Sequence, residues 1–158
     1  MAIDLEYSAV AQCRPEHCWQ VFQNLNEWSG WLDAVGQARW IEGAPWQKGS
    51  RFEFHLSQPR PATITPTITD IEIPYKVIWV GKGMGVTGEH AFVFAPQADG
   101  TTRITTMQRY SGAATMFAPK HLIGIVQSVL ERWVERLKLE AEALARRESG
   151  PHPEVSVG

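Results

Sequence analysis

The stretch "VTGEHAFVFAPQADGTTRITTMQRYSG", residues 86–112, decides how this chain folds. In its first half His90, Phe92 and Phe94 alternate with Glu89, Ala91 and Val93. In its second half Ile104, Thr106, Gln108 and Tyr110 alternate with Arg103, Thr105, Met107 and Arg109. A two-residue period sends successive side chains to opposite faces of an extended strand. Between the halves lies "QADG", whose Asp99-Gly100 pair is a hairpin turn signal because glycine reaches the left-handed backbone region without steric cost. The stretch therefore predicts an antiparallel hairpin, with one face bearing a histidine and two phenylalanines.

Toward the N-terminus the strand pattern continues. "YKVIWVG" follows Pro74, and "ATITPTITDIEI" is long and β-branched, with Pro66 removing one backbone donor. A proline there predicts an edge strand or a bulge. "SRFEFHL" alternates Phe52, Phe54 and Leu56 against Arg51, Glu53 and His55, and "QARWIEG" is a short strand ending in a glycine turn. "IDLEYSAVA", residues 3–11, is a further half-buried strand. In "RPEHCWQVFQNL" the period changes: Pro15 suits a first helical turn, Glu16 the positive helix N-terminus, and Cys18, Trp19, Phe22 and Leu25 share one face. A second short helix or turn carries "EWSGWLDAV", in which Trp28, Trp31 and Leu32 share a face.

Toward the C-terminus one long helix is predicted from Thr115 to Arg147. Thr115 is placed as its cap, and Pro119 is tolerable because it falls in the first turn. Leu122, Val126, Val129, Trp133, Leu137, Ala141 and Leu144 form one apolar stripe, and Glu131, Arg132, Glu135, Arg136 and Lys138 face water. Gly124, inside the apolar "LIGIV", is read as a point of close approach for a ligand or backbone, or as a slight kink. Residues 1–147 form a single domain in this reading, and the proline-bearing tail 148–158 is expected to be disordered.

The bulk properties agree with an ordinary globular domain. The chain has 158 residues, 44% hydrophobic and 20% charged, with a formal net charge of −2. No basic footprint for nucleic acid is present. There is no secretory signal pattern and no apolar run long enough for membrane insertion, so a cytoplasmic location is expected. No cofactor is implied, and the sequence does not reveal the oligomeric state. Cys13 and Cys18 flank His17 in "CRPEHC", but no second pair completes a zinc set, so no metal is expected. With Pro15 turning the chain between them, the two thiols need not converge and are read as free.

The order is thus one strand, two short helices, six strands and one long helix. A seven-stranded antiparallel sheet can bury its apolar face only by curling around the long helix, which leaves a cavity between them. This α+β helix-grip order resembles the START-like (SRPBCC) superfamily, and within it the polyketide cyclase/dehydrase-like family. The pieces that carry the resemblance are "PEHCWQVFQNLNEWSGWL", "WQKGSRFEF", "ITDIEIPYKVIWVG" and "DGTTRITTMQRYSG", over residues 3 to 147. The resemblance implies an apolar pocket, in a superfamily of lipid carriers, hormone-like ligand binders, aromatic polyketide cyclases and a co-chaperone branch.

Against this background each motif has two readings. "GMGVTG", residues 83–88, matches a dinucleotide fingerprint, but an alternating strand follows it instead of a helix, so a glycine-rich hairpin is expected. His90, inward among phenylalanines, could orient a ligand or shuttle a proton, or simply be hydrogen-bonded in a core. Tyr110 shares that candidacy. Gln108 cannot do acid–base work. His55 is placed on the outer surface, His121 at the start of the long helix, and no catalytic triad stands out. Trp28 and Trp31 are placed at the cavity mouth, with a plain core role as the alternative.

The expected lining is Trp28, Trp31, Phe54, Trp79, His90, Phe92, Gln108, Tyr110 and Trp133. The first functional expectation is binding of a small, largely uncharged hydrophobic molecule, aromatic, polyketide-like or lipid-like. The alternatives are a cyclase/dehydratase-type enzyme and a protein-interaction module.

Overall fold

The computed structural model of the chain describes residues 2–83 and 85–150. Strand β1 (Ala2–Ala11) leads through a bend into α1 (Pro15–Phe22), a 3-10 turn over Leu25–Glu27 and the one-turn α2 (Trp28–Trp31). Then follow β2 (Val35–Glu42), β3 (Arg51–Leu56), β4 (Ala62–Ile64), β5 (Thr67–Glu72), β6 (Lys76–Gly83), β7 (Val86–Pro96) and β8 (Thr102–Ser111). A 3-10 turn over Ala113–Phe117 precedes α3 (Lys120–Glu148). Residues 151–158, most of the expected tail, lie outside the described residues; Glu148, placed in that tail, ends α3.

The strands pair antiparallel in the order β1-β8-β7-β6-β5-β3-β2, with β4 also on β3. The chain makes β1 and β2 consecutively, yet they form opposite edges of the sheet. The α1–α2 segment carries the chain from one edge to the other. The expected architecture is therefore observed: an antiparallel sheet packed on a long C-terminal helix, with two short helices between β1 and β2.

The strand expected over residues 62–73 is broken in two, which gives eight strands instead of seven. Pro66 is the cause: it has no N–H for the ladder, although its carbonyl still accepts from the Phe52 N–H at 3.2 Å. Phe54 pairs with Ile64 and Arg51 with Thr67, so β4 and β5 run along the same side of β3 as one interrupted strand. The 97–101 turn forms as expected, with Gly100 at φ 85° and the Gln97 N–H donating to the Thr101 carbonyl at 2.8 Å.

The start of the long helix is a correction. Thr115 does not cap it; its hydroxyl donates to the Gly112 carbonyl at 2.7 Å inside the preceding 3-10 turn. Ala118, forced out of the helical region by the proline after it, is extended (ψ 121°), and α3 begins only at Lys120. Its stripe is also shifted. Val129, Trp133, Leu137 and Ala141 are buried as expected, Leu130 and Val134 join them, and Leu122, Val126 and Leu144 are half-buried. A Cβ built on Gly124 meets nothing within 4 Å, so no other part of the described chain packs closely against it.

The core is aromatic and centred on Phe22, whose ring lies 4.8 Å from Phe92, 5.3 Å from Trp28 and 5.5 Å from Trp46. These side chains come from α1, α2, the 43–50 connection and β7, so the cluster ties both short helices to the sheet. Trp28 and Trp46 place their polar edges without loss: their indole N–H groups donate to the Phe22 and Gln23 carbonyls, each at 2.8 Å. Those carbonyls lie at the C-terminus of α1, where the helix itself leaves acceptors free.

Candidate functional site

The cavity opens where β6 and β7 run out of side chains. Counting by twos along β6 from inward Trp79 reaches Gly81 and Gly83; counting back along β7 from inward His90 reaches Gly88 and Val86. A Cβ built on Gly83 meets nothing within 4 Å, and one on Gly81 meets only Ile64 Cγ2, at 3.7 Å. Gly88 lies directly across the ladder from Tyr110, whose ring would be 3.4 Å from an added Cβ. The "GKGMGVTG" run is thus a hairpin whose alternate glycines vacate one end of the sheet's inner face; Met84 within it lies outside the described residues. This is the hairpin expected for the motif, and the strand β7 follows it where a phosphate site needs a helix N-terminus.

The resulting space is about 360 Å³. Its sheet wall is made by Phe54, Leu56, Ile64, Trp79, His90, Gln108 and Tyr110, its other wall by Val126, Val129, Leu130 and Trp133 of α3, and its rim by Gln58 and Pro59. That size and the mostly apolar lining fall in the range of small-molecule pockets. No Asp or Glu lines it; Lys82 borders it, but its strand position alternates away from Gly81 and Gly83 and it is exposed. At the rim, Arg132 Nη2 donates to Gln58 Oε1 at 2.5 Å and Arg132 Nη1 lies 3.5 Å from Asp33 Oδ1, so α3 holds the β3–β4 loop beside the opening.

Three neutral polar groups form a row along the sheet wall. His90 and Gln108 are directly paired across β7 and β8, and Tyr110 follows Gln108 on the same face, one two-residue step (about 7 Å) along β8. His90 is 3% exposed, and burial pushes its imidazole down to about 3, so it is neutral near pH 7. Its Nε2 lies 2.7 Å from Thr106 Oγ1, and that hydroxyl donates to the Ala91 carbonyl at 3.2 Å. Nε2 must therefore carry the ring proton and donate it, which leaves Nδ1 as a bare acceptor. Burial likewise raises the Tyr110 hydroxyl to about 12, so it too is uncharged. Among the described residues, His90 Nδ1, the Gln108 amide and the Tyr110 hydroxyl have no hydrogen-bond partner.

Of the residues expected at the site, the structure brings together Phe54, Trp79, His90, Gln108, Tyr110 and Trp133 around the cavity. It places Trp28, Trp31 and Phe92 elsewhere. Trp28 and Phe92 are fully buried in the aromatic core, and Trp31 is buried as well, its carbonyl accepting from Arg136 Nε at 2.8 Å. The reason is topological: α2 sits against Phe52, Phe54 and Trp133 on the side where the sheet keeps its large side chains, while the cavity opens at the glycine end. His55 is exposed and bonded to Thr63, and His121 is exposed. Sequence reasoning missed the glycines and Ile64, Val86 and Leu130. The alternation of Trp79 with Gly81 and Gly83 was the available signal.

A protein-family model described as "Polyketide cyclase / dehydrase and lipid transport" matches residues 2–146. Among solved structures, the chain is similar to TTHA0849 from Thermus thermophilus (13% identity, 90% of this chain and 99% of that chain covered, TM-score 0.73). It is also similar to the Zhui aromatase/cyclase from Streptomyces sp. R1128 (12% identity, 96% and 100% covered, TM-score 0.76). A START superfamily protein from Mycobacterium smegmatis matches at 9% identity, with 92% and 99% covered and a TM-score of 0.67. At these identities the likeness establishes the fold alone. No curated protein matches the sequence significantly.

Proposed function

The chain belongs to the polyketide cyclase/dehydrase and lipid transport family, and on that premise we propose that it binds a small hydrophobic molecule, uncharged where it is buried, in the cavity between the sheet and α3. The observation that carries this reading is the division of the walls. The α3 side offers Val126, Val129, Leu130 and Trp133, and the sheet side offers the row His90, Gln108 and Tyr110. A ligand with one apolar edge and one edge of hydroxyl or carbonyl groups satisfies both. A hydroxyl suits the His90 end best, because bare Nδ1 accepts a hydrogen and a carbonyl has none to give. Aromatic, polyketide-like and lipid-like molecules of this pattern qualify. Apolar burial at about 25 cal/mol per Å² supplies the affinity, and the polar row sets orientation.

A cyclase or dehydratase step needs a group that takes and returns a proton. His90 is the available base, but burial makes it a weak one, and no carboxylate stands beside it. Binding without turnover is therefore the better-supported role. The concave apolar cavity between sheet and helix also favours it over a protein-interaction module, which needs a broad exposed apolar patch. The reading places the protein in the cytoplasm; no helix among the described residues is long and apolar enough to cross a membrane. The test is a mass spectrum of the organic extract of purified protein, alongside titration with a neutral apolar dye. One saturable dye site displaced by the extracted compound is expected, and an empty extract with no saturable dye site overturns the proposal.

A further inference from the structure

At the end of the fold away from the cavity, the bend between β1 and α1 carries a feature the ligand reading does not use. The "CRPEHC" turn was read as one whose thiols need not converge; in the structure Cys13 Sγ and Cys18 Sγ lie 3.8 Å from each other. Both are free and buried, Cys13 at 6% exposure and Cys18 at 0%. The turn is tethered at several points that keep the sulfurs together. The Gln12 N–H donates to the buried Glu142 carboxylate at 2.8 Å, and the Thr102 hydroxyl donates to the Cys13 carbonyl at 2.8 Å. His17, the residue between the thiols, turns away from them. Its Nδ1 accepts the Arg14 N–H at 3.2 Å, and its Nε2 meets Glu148 at 2.8 Å. Among the described residues no third ligand joins the sulfurs to make a metal set.

We infer that Cys13 and Cys18 form a peroxide-oxidisable dithiol, with Cys13 the sulfur that reacts first and Cys18 the one that resolves it. The assignment follows from access and hydrogen bonding. Cys13 retains a sliver of surface and Cys18 none. The two thiols share one hydrogen bond; with Cys18 as its donor it stabilises a thiolate on Cys13 and holds Cys13 below the usual thiol range, while that same bond and burial push Cys18 up. The chemistry balances with a hydroperoxide as oxidant. The Cys13 thiolate attacks a peroxide oxygen, the O–O bond breaks, and the departing oxygen leaves as water after taking a proton. The sulfenic acid formed on Cys13 is then attacked by the Cys18 sulfur, which gives up its proton. The S–O bond breaks, a second water leaves, and the S–S bond forms. Two thiols lose two electrons, and hydrogen peroxide gains them. The sulfurs must close from 3.8 Å to the disulfide length of about 2.05 Å, a movement within reach of side-chain rotation and a slight shift of the bend. In a reducing compartment such a pair is a reversible site, since exchange with small thiols restores it.

The test uses the full folded chain and hydrogen peroxide near stoichiometry. Expected are a mass loss of two hydrogens, disappearance of both thiols from titration in denaturant, a Cys13–Cys18 cross-linked peptide, and full recovery with dithiothreitol. In Cys18→Ser, Cys13 should instead be trapped as a sulfenic acid by dimedone; in Cys13→Ser, Cys18 should stay an unreacted thiol. Native protein whose thiols survive peroxide until it is unfolded overturns the proposal, as does dimedone labelling of the wild type without a cross-link. Neither outcome bears on the cavity, so the ligand reading stands or falls separately.

Discussion

His90 Nε2 lies 2.7 Å from Thr106 Oγ1, and the Thr106 hydroxyl passes its own hydrogen to the Ala91 carbonyl at 3.2 Å. The relationship puts a proton on Nε2, and burial keeps the ring neutral, which leaves Nδ1 free on a ring that lines the cavity. Its cause is the diagonal placement of two inward positions, His90 on β7 and Thr106 one two-residue step from His90's partner Gln108 on β8.

That neutrality has a measurable consequence for stability. His90 is held at about 3 in the folded chain, against about 6.5 when unfolded. As pH falls through 6.5 the unfolded state takes up a proton that the native state refuses, so the stability contributed by neutral His90 is complete above 6.5 and is lost progressively toward 3. The slope from this one group approaches about 1.4 kcal/mol per pH unit within that window. Denaturant melts of wild type and His90→Gln between pH 7 and 5 should diverge accordingly, with the variant flatter. Parallel curves would mean that His90 is solvated.

Trp28 belongs to the core and not to the cavity mouth. It is fully buried, donates to the Phe22 carbonyl, and meets Phe22 and Trp133 at ring separations of 5.3 Å each. Trp28→Ala should cost about 3–5 kcal/mol by chemical denaturation, while the fraction still folded binds dye with little change. A loss below about 1 kcal/mol would place the ring at a yielding surface.

Much of this was legible from period alone. The alternations around His90 and Tyr110, the turn at Asp99-Gly100 and the breaker at Pro66 describe local backbone preferences, and each appears in the structure. Six of the nine expected lining residues fell at the cavity for the same reason. What period could not tell was which end of the inner face stays empty. That depends on which glycines face inward and on where α2 lands, a non-local matter that sent Trp28, Trp31 and Phe92 into the core. The late start of α3 is different: the restriction Pro119 puts on Ala118 was present in the sequence and was outweighed by the apolar stripe.

The rim contact makes a kinetic prediction. Arg132 holds Gln58 and so the loop beside the opening. Arg132→Met keeps the stem and removes the donors. A half-exposed hydrogen bond of about 1 kcal/mol corresponds to roughly fivefold in rate, so stopped-flow dye release should accelerate by about that factor with the equilibrium affinity little altered. An unchanged release rate would separate the loop from the exchange path.

The glycine motif predicts an absence that calorimetry can check. Because β7, and no helix, follows Gly85, titration with nicotinamide and flavin dinucleotides should give no saturable heat. Micromolar binding abolished by Gly85→Val would contradict the hairpin reading.

The most direct test of the ligand cavity is to fill it from the glycine side. At Gly81 an added Cβ has ordinary contact with Ile64 and no clash, and a β-branched residue suits a strand, so Gly81→Val should fold normally while its methyls occupy the cavity. Fluorescence titration of wild type and Gly81→Val with a neutral apolar dye, with thermal unfolding of both as control, is the measurement. One site per chain in the wild type, weakened at least tenfold in a variant that melts no lower, is the predicted result. Equal dye affinity in the two proteins, or no saturable site in the wild type, would contradict binding between the sheet and α3.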